Sequence, residues 1–572
     1  MAKKKSPKIV VLGIDGGTWD LILPWAEQGR LPHFAMLLKE GTWGTLQSTI
    51  PPVTAPAWTS LLTGKNPGQH GLYDFFEINP DTYRIQYSCA SSRKAKTIWR
   101  ILSDRGKRVG VVNVPMTYPP EEVNGYMISG MDTPDEDSPF IYPPSLKEEI
   151  WREVGRIRLD IHHLGYMNND RKRDKVLKEF IEQEQSRLKL ILYLFERDPV
   201  DVFMVVFNST DQVQHHFWHY MDPGHPYFDE KSAKVFGDAI FRIYQCIDEI
   251  IGLLLKKFSD ETALILMSDH GFGPTSPRNL YINRYLEKIG ILSLKDERKS
   301  ISRSFSTFMS KIDHFLRLNL PPDLKRKIAK LFPWARAQLE SYLSFSMIDW
   351  SKTKAYAIEI SSTSPTIWVN LKGRGPQGIV PSHEYNDVVE SIRKALYELR
   401  DPIDGSQVVS KIYRKEEIYH GKELNKAPDL ILSWWEGKGF MVKQSFPRRS
   451  DKDDVILEYP SGMVQGGQDW SGTHTPNGIF LFYGKEIRKG ERIEGTRIVD
   501  IAPTLLYLLK EVVPDDMDGR VLTEIFEKSR EELKPIGYQS VSPEGEEETI
   551  DTYSEEDRLK IKKRLQDLGY LS

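Results

Sequence analysis

Six acidic and histidine residues, spread over about 460 positions, are of types that bind divalent metal ions. They are Asp15, Asp211, His215, Asp269, His270 and His474, and Thr54 adds a hydroxyl group. Carboxylate and imidazole ligands without cysteine suit zinc or manganese. A hydroxyl nucleophile beside two such ions suits phosphate-ester chemistry. If the chain folds as an α/β sheet that brings them together, these residues predict a two-metal phosphoryl-transfer site.

The spacing within NSTDQVQHHFWHY favours one pair of ligands but leaves the choice of histidine open. Asp211 and His215 are four residues apart, so on a helix they share a face and could hold one ion. His216 and His219 lie in the same segment. Spacing alone does not choose among the three histidines, and a structural histidine-rich segment is the alternative.

Each of the other candidates also has an ordinary explanation. Asp269 and His270 in MSDHGFGP are adjacent, and a glycine turn after them could let both face one cavity; a turn aspartate beside a surface histidine is the alternative. His474 in SGTHTPNG is predicted to lie in a loop with exposed backbone, where a histidine is usually solvated. Asp15 could be an ordinary strand-end residue, and Thr54 a helix N-cap.

Strand and helix signals alternate along the chain and predict a doubly wound, mostly parallel α/β sheet. Apolar runs that read as strands end near Asp15, Asp211, Asp269 and His270. In open α/β sheets, ligands bind at the carboxyl ends of strands. The predicted fold therefore places these four residues at the edge where a site is expected.

The alternation of strand and helix signals breaks near residue 272, which predicts an insertion there. The chain is thereby divided into four predicted segments. They are a first core part (1–271), a helical cap (272–350), a second core part (351–525), and a polar tail with a C-terminal helix (526–572). The cap is expected to cover the site. The alternatives are a helical decoration far from the site, or a peripheral membrane contact through the basic and aromatic residues of 300–345.

Composition excludes several classes of protein. A net charge of −3 gives no electrostatic footprint for nucleic acid. Two cysteines exclude a disulfide framework and a cysteine-rich zinc site. The apolar stretch IVVLGI is shorter than a typical signal sequence, and no run of about 18 apolar residues follows. We therefore expect a soluble cytoplasmic protein; the sequence does not set its oligomeric state.

The ordered set of motifs resembles the alkaline phosphatase superfamily, and within it the type I phosphodiesterase and nucleotide pyrophosphatase branch. The set is GIDGG, then PPVTAPAWTSLLTGKNPGQHG, DQVQH, SDHG and GTHTPNG. The resemblance covers about residues 1–275 and 350–525. It implies a doubly wound α/β fold with two metal ions, usually zinc.

The resemblance also assigns roles to the candidate residues. It implies one ion held by Asp15, Thr54, Asp269 and His270, and a second held by Asp211, His215 and His474. Thr54 would attack phosphorus in line and form a phosphothreonine intermediate, which water then hydrolyses. The substrate would be a small phosphate ester, or a nucleotide-like molecule, with a phosphodiester or pyrophosphate bond.

One departure from the family pattern weakens the nucleotide assignment. Nucleotide pyrophosphatases usually carry a phosphate-binding asparagine shortly after the nucleophile, where this chain has Asp74 and Phe75. A carboxylate repels phosphate, so Asn113 or Asn208 is predicted to orient it instead. The alternatives to a phosphohydrolase are a phosphomutase or phosphotransferase, and a metal-stabilised binding protein without turnover.

Overall fold

The computed structural model describes residues 7–79, 83, 85–159, 169–295, 345, 347–359, 365–433, 439–443, 445, 454–458, 470–528, 532–540 and 553–567. The strands are β1 (Ile9–Ile14), β2 (Thr42–Gln47), β3 (Phe76–Ile78), β4 (Ile85–Tyr87), β5 (Val109–Val114), β6 (Gly125–Ser129), β7 (Ile141–Tyr142), β8 (Val202–Phe207), β9 (Ala263–Met267), β10 (Gly271–Pro274), β11 (Arg278–Leu280), β12 (Ala355–Ala357), β13 (Thr366–Val369), β14 (Lys411–Arg414), β15 (Leu430–Ser433), β16 (Met441–Val442), β17 (Ile456–Glu458), β18 (Gly472–Thr475), β19 (Asn477–Tyr483), β20 (Glu491–Arg497), β21 (Val513–Pro514) and β22 (Tyr538–Gln539).

Helices alternate with these strands through most of the chain. The α-helices are α1 (Trp19–Glu27), α2 (Pro32–Glu40), α3 (Thr54–Thr63), α4 (Pro67–His70), α5 (Ile98–Asp104), α6 (Leu146–Glu153), α7 (Asp170–Arg197), α8 (Ser209–Met221), α9 (Glu230–Phe236), α10 (Ala239–Leu255), α11 (Ile282–Lys288), α12 (Tyr385–Glu398), α13 (Lys415–Ile418), α14 (Ile501–Leu508) and α15 (Glu555–Asp567). Short 3₁₀ turns cover Ala90–Ser92, Ser382–Glu384, Leu424–Lys426, Ile498–Asp500 and Thr523–Ile525.

A nine-stranded sheet forms the centre of the described structure, in the order β20-β2-β19-β9-β1-β8-β5-β6-β7. Only β19 and β7 run antiparallel to their neighbours in this sheet. Strand β1 lies in the middle, between β8 and β9, with which it pairs in parallel. The predicted doubly wound, mostly parallel α/β sheet is confirmed.

The sheet is covered on both faces, which explains why its central strands are apolar throughout rather than alternating. Alternate residues of β1 enter different hydrophobic clusters: Val10 and Leu12 join one, and Ile9 and Val11 join the other. All six residues of β1 are buried. The carboxyl end of β1 is thereby held in the middle of the fold, where Asp15 follows it.

The second half of the chain adds smaller sheets around this core. A four-stranded antiparallel sheet has the order β12-β13-β15-β14, and a three-stranded sheet has the order β16-β11-β17. Strands β10 and β18 form a separate antiparallel pair in which Phe272 lies opposite His474. This pair connects the end of β9 to a strand about 200 residues further along the chain.

The four predicted segments remain a prediction, because most of the predicted cap, 296–344, lies outside the described residues. At the start of the predicted cap the chain forms β10, β11 and α11. Beyond them the two ends of the insertion come together, since Leu294 bridges Ile348 and the Lys295 N–H donates to the Met347 carbonyl at 2.9 Å.

In the part of the chain that the structure describes, none of the helices has both the length and the apolar character needed to cross a bilayer. The cytoplasmic location stays a prediction, which cell fractionation would check.

Candidate active site

The first group of candidate ligands lies where β1 and β9 end side by side. Asp15 directly follows β1, and Asp269 and His270 connect β9 to β10. The His270 Nε2 atom is 3.2 Å from Asp269 Oδ2 and 3.8 Å from Asp15 Oδ1. Although adjacent in sequence, Asp269 and His270 therefore face the same space.

The second group is formed by α8 and β18. Asp211 and His215 lie one turn apart on α8, and His215 Nε2 is 3.3 Å from Asp211 Oδ1. His474, in β18, places its Nε2 atom 3.2 Å from Asp211 Oδ1 and 3.1 Å from His215 Nε2. Three side chains from two distant segments thus converge on one point.

The two groups adjoin each other. The rings of His270 and His474 stack with centroids 3.6 Å apart. Ligand atoms of Asp15, Asp269 and His270 lie within 4.8 Å of one another, as do those of Asp211, His270 and His474. The geometry therefore brings all six predicted ligands together in two neighbouring sets.

Thr54 is the first residue of α3, and its Oγ1 atom is 3.1 Å from His270 Nε2. Its side chain is fully buried. The positive end of a helix dipole favours an anion, so an anion in front of Thr54 would meet the N-terminus of α3 as well as the hydroxyl. The structure places the predicted nucleophile beside the predicted ligands.

Backbone carbonyl groups orient the three histidine rings. The Nδ1 atoms of His215, His270 and His474 contact the carbonyl oxygens of Gly472, Gly271 and Pro52 at 2.8, 3.1 and 3.0 Å. In each ring Nδ1 then carries the proton, and the unprotonated Nε2 is the atom that faces the other ligands. A histidine that ligates a metal is commonly held by such a bond from its other nitrogen.

Two carboxylate oxygens in this space show that the residues fit a cation. Asp15 Oδ1 and Asp269 Oδ2 are buried and accept no hydrogen bond within the described structure. Burying an unpaired carboxylate oxygen is costly, and a divalent ion removes that cost. The oxygen and imidazole donors, with no thiolate, are ligands that zinc and manganese accept.

The same burial shifts the protonation of the metal-free site. Burial, and the nearby charge of Asp211, raise the pKa of Asp269 to about 7 against the opposing effect of His474. Burial and the carboxylates of Asp269 and Asp211 raise the pKa of Asp15 well above its usual value. Burial lowers the pKa of His270, so its ring is neutral and ready to bind a metal.

Metal affinity should therefore fall as the pH drops through about 7, and binding near neutral pH should release protons. Below its pKa a carboxyl group keeps the proton that the ion must displace. Calorimetric titration with Zn²⁺ in buffers of different ionisation enthalpy measures the number of protons released. Asp269→Asn, which has no proton to lose, should release fewer. Equal release by this variant and the wild type would contradict the assignment.

Two expectations drawn from the sequence are wrong in detail. His474 is not in an exposed loop: it lies in β18 and is 1% exposed. Thr54 is not an N-cap, since Val53 occupies that position and Thr54 begins the helix. Of the three histidines left open on α8, His215 is the one that faces Asp211 and His474; neither ring nitrogen of His216 has a hydrogen-bond partner in the described structure.

The predicted phosphate-orienting asparagines lie on two neighbouring strands of the central sheet: Asn113 is in β5, and Asn208 directly follows β8. Asn113 Nδ2 donates to the Val206 carbonyl at 2.9 Å and lies 3.5 Å from Asn208 Oδ1. Asn208 Oδ1 also accepts from Arg187 at 3.2 Å. These contacts hold the two amides in a buried network, and their role in binding phosphate stays a prediction. Asp74 is buried, and its carboxylate accepts from the Phe75 N–H at 2.7 Å.

Three neighbours of the ligands were not identified from the sequence. The Gly16 N–H donates to Asp269 Oδ1 at 3.3 Å. Gly16 has φ +63°, and a Cβ there would lie 2.8 Å from the Phe272 ring. Trp470 stacks on His215 with centroids 3.6 Å apart, and the Trp58 indole donates to Asp15 at 3.4 Å. Trp58 lies one helical turn after Thr54, so the spacing could have indicated that the two side chains share a helix face. The sequence around Trp470 gives no comparable indication of its contact with His215.

Comparison with known proteins gives a family match. The model of the family described as type I phosphodiesterase / nucleotide pyrophosphatase matches residues 9–450. This range contains every candidate residue except His474, which lies beyond it but beside Asp211 and His215 in the structure. Among curated proteins none matches the sequence.

Solved structures with a similar fold share little sequence with this chain. Phosphonoacetate hydrolase from Sinorhizobium meliloti 1021 is 15% identical, with 89% of this chain and 96% of that chain covered and a TM-score of 0.52. Murine ectonucleotide pyrophosphatase/phosphodiesterase 5 is 15% identical, with 91% and 100% covered and a TM-score of 0.47.

Proposed function

The chain belongs to the type I phosphodiesterase and nucleotide pyrophosphatase family, and on that premise we propose that it cleaves phosphodiester or pyrophosphate bonds through a phosphothreonine formed at Thr54. As a member of this family it is a metal-dependent hydrolase of phosphoric ester bonds in the alkaline phosphatase superfamily.

The observation that carries the proposal is the position of Thr54. Its hydroxyl lies 3.1 Å from His270 Nε2, at the start of a helix and beside two groups of potential ligands. A threonine that served only to stabilise the helix would have no reason to face this cluster. A buried hydroxyl at the meeting point of six acidic and imidazole groups suits an attacking nucleophile.

The residues of the chain account for both steps of the reaction. Thr54 Oγ1 attacks phosphorus, the bond from phosphorus to the leaving oxygen breaks, and the hydroxyl proton passes to solvent. The leaving oxygen takes up a proton from solvent. Water then attacks the phosphothreonine and loses a proton, the bond from phosphorus to Oγ1 breaks, and Oγ1 takes up a proton to regenerate threonine. The N-terminus of α3, the positive end of the helix dipole, would favour the negative charge of a phosphoryl oxygen during both steps.

We propose two divalent ions, Zn²⁺ or Mn²⁺, at the two groups of ligands. One would be held by Asp15, Thr54, Asp269 and His270, and the other by Asp211, His215 and His474. Bound there, the ions would supply Lewis-acid stabilisation of negative charge on the phosphoryl, attacking and leaving oxygens. The unpartnered oxygens of Asp15 and Asp269 support this assignment.

Assays on two chromogenic substrates test the function. The purified protein, loaded with Zn²⁺ or Mn²⁺, should hydrolyse bis-p-nitrophenyl phosphate faster than p-nitrophenyl phosphate. A preference for the monoester would favour a phosphatase. Product formed only in the presence of an alcohol acceptor would favour a phosphotransferase, and no turnover with either metal would reject the proposal.

We further propose that the substrate is a small molecule. The Sinorhizobium meliloti enzyme was solved with phosphonoformate and with phosphonoacetate, both small phosphonates. In this chain the Asp74 carboxylate follows the nucleophile where an asparagine was expected, which argues against a nucleotide phosphate placed as in nucleotide pyrophosphatases. A panel of diesters with and without a nucleoside would separate the two classes.

Replacing residues 298–343 by a short Gly-Ser linker should preserve the fold and activity on a small diester, but change selectivity among larger ones. The flanking segments pair with each other through Leu294 and Ile348, so a short linker can join them without strain. Long insertions near active sites often act as lids. The measurement is kcat/KM over a series of diesters of increasing size. Identical selectivity in both proteins would show that the insertion does not contribute to the choice of substrate.

A further inference from the structure

The indole ring of Trp58 joins the helix of the proposed nucleophile to the strand of a proposed ligand. Trp58 lies one turn after Thr54 on α3 and is fully buried. Its Nε1–H donates to Asp15 Oδ2 at 3.4 Å. Residues four apart share a helix face, so Thr54 and Trp58 approach the end of β1 from the same side.

Strand β1 provides room for this ring at Gly13. A Cβ atom at position 13 would lie 2.4 Å from the Trp58 Cη2 atom and 2.9 Å from Val206. Residues i and i+2 of a strand point to the same face, so the indole lies over the bare backbone of Gly13 and reaches Asp15 two residues on. The absence of a side chain at Gly13 is what lets the ring reach the carboxylate.

The two oxygens of Asp15 consequently differ. Oδ2 accepts the indole hydrogen bond, whereas Oδ1 accepts none within the described structure and faces His270 Nε2 at 3.8 Å. A hydrogen bond to one oxygen of a carboxylate fixes its rotation and directs the other oxygen. Groups that hold metal ligands in this way commonly change metal affinity by about 10- to 100-fold when removed.

We propose that Trp58 is a positioning residue that orients Asp15 for the ion shared with Asp269 and His270. The role rests on the metal site of the proposed function. Because one rigid helix carries both side chains, Trp58 also sets the distance between the Thr54 hydroxyl and the Asp15 carboxylate. It acts through Asp15 and does not itself contact the substrate.

Metal affinity in a one-site background tests the proposal. His474→Ala should leave only the ion of Asp15, Asp269 and His270, whose Zn²⁺ affinity is measured by competition with a chromophoric chelator. Adding Trp58→Phe, which keeps an aromatic ring but loses the N–H, should weaken that affinity roughly 10- to 100-fold. Activity of Trp58→Phe with both sites intact should recover when Zn²⁺ is raised.

Trp99→Phe is the matched control. Trp99 is buried in the same hydrophobic cluster, and its Nε1–H donates to Glu121 at 2.8 Å, away from the ligands. The Trp99→Phe variant should lose the same kind of hydrogen bond without a change in its Zn²⁺ affinity. Unchanged affinity in Trp58→Phe, or an equal loss in Trp99→Phe, overturns the proposal.

Gly13→Ala is a second test of the same proposal. Its methyl group displaces the tip of the indole ring while Trp58 itself is kept, so this variant should also bind Zn²⁺ more weakly. Melting of the metal-free variants checks that each is folded, and normal affinity in folded Gly13→Ala would also count against Trp58. A wild-type protein that binds no metal would reject the proposed function itself, independently of Trp58.

Discussion

Thr54→Ala should lower kcat by roughly three to six orders of magnitude, the usual effect of removing a nucleophile. The fold should survive, because a hydrogen bond such as that from Thr54 to His270 contributes about 1 kcal/mol to stability. Metal content should stay near two ions, since Asp15, Asp269 and His270 still hold the nearer one. The measurements are kcat on bis-p-nitrophenyl phosphate, elemental analysis and thermal melting.

Thr59→Ala is the control for this variant. Thr59 lies on the same helix, is equally buried and donates its hydroxyl to the Ala55 carbonyl at 2.8 Å, so it loses a hydroxyl without touching the site. It should keep nearly full activity. Acid-quenched wild-type enzyme should also carry phosphate on the peptide that contains Thr54. A fully active Thr54→Ala enzyme would exclude the covalent mechanism.

His474→Ala should reduce the metal content from about two ions to about one and abolish most of the activity. His474 Nε2 lies 3.2 Å from Asp211 Oδ1 and 3.1 Å from His215 Nε2, so its loss leaves that ion with two ligands. A ligand at 100 times its dissociation constant stabilises a protein by about 2.7 kcal/mol. The increase in melting temperature on adding Zn²⁺ should therefore be smaller in the variant.

His216→Leu distinguishes the proposed ligand His215 from its neighbour on α8. The two ring nitrogens of His216 make no hydrogen bond in the described structure, so leucine removes no polar contact. This variant should keep both ions, whereas His215→Ala should lose one. A loss of metal by His216→Leu with retention by His215→Ala would show that the helix is rotated from its position in the structure.

The sequence predicted the core of the fold because the signals for it are local. The apolar run from Ile9 to Ile14 predicts a buried strand, which β1 is, and the helical spacing of Asp211 and His215 holds in α8. The family resemblance followed from the order of short motifs and is confirmed by the match over residues 9–450. The roles of the individual site residues stay predictions, although the structure brings them together.

By itself the sequence determined the residue types available for chemistry, the alternation of strands and helices, and the edge of the sheet where Asp15, Asp269 and His270 lie. Spacing alone left the choice among the histidines of α8 open and the order of motifs implied His215; the tertiary structure places His215 facing the site, since the rotation of that helix is set by its packing against β18 and α10. It also decided that His474 is buried, through pairing with Phe272, and that Trp58 reaches Asp15 across Gly13. These contacts join residues far apart in the chain, and local hydrophobic periodicity carries no information about which distant surfaces meet.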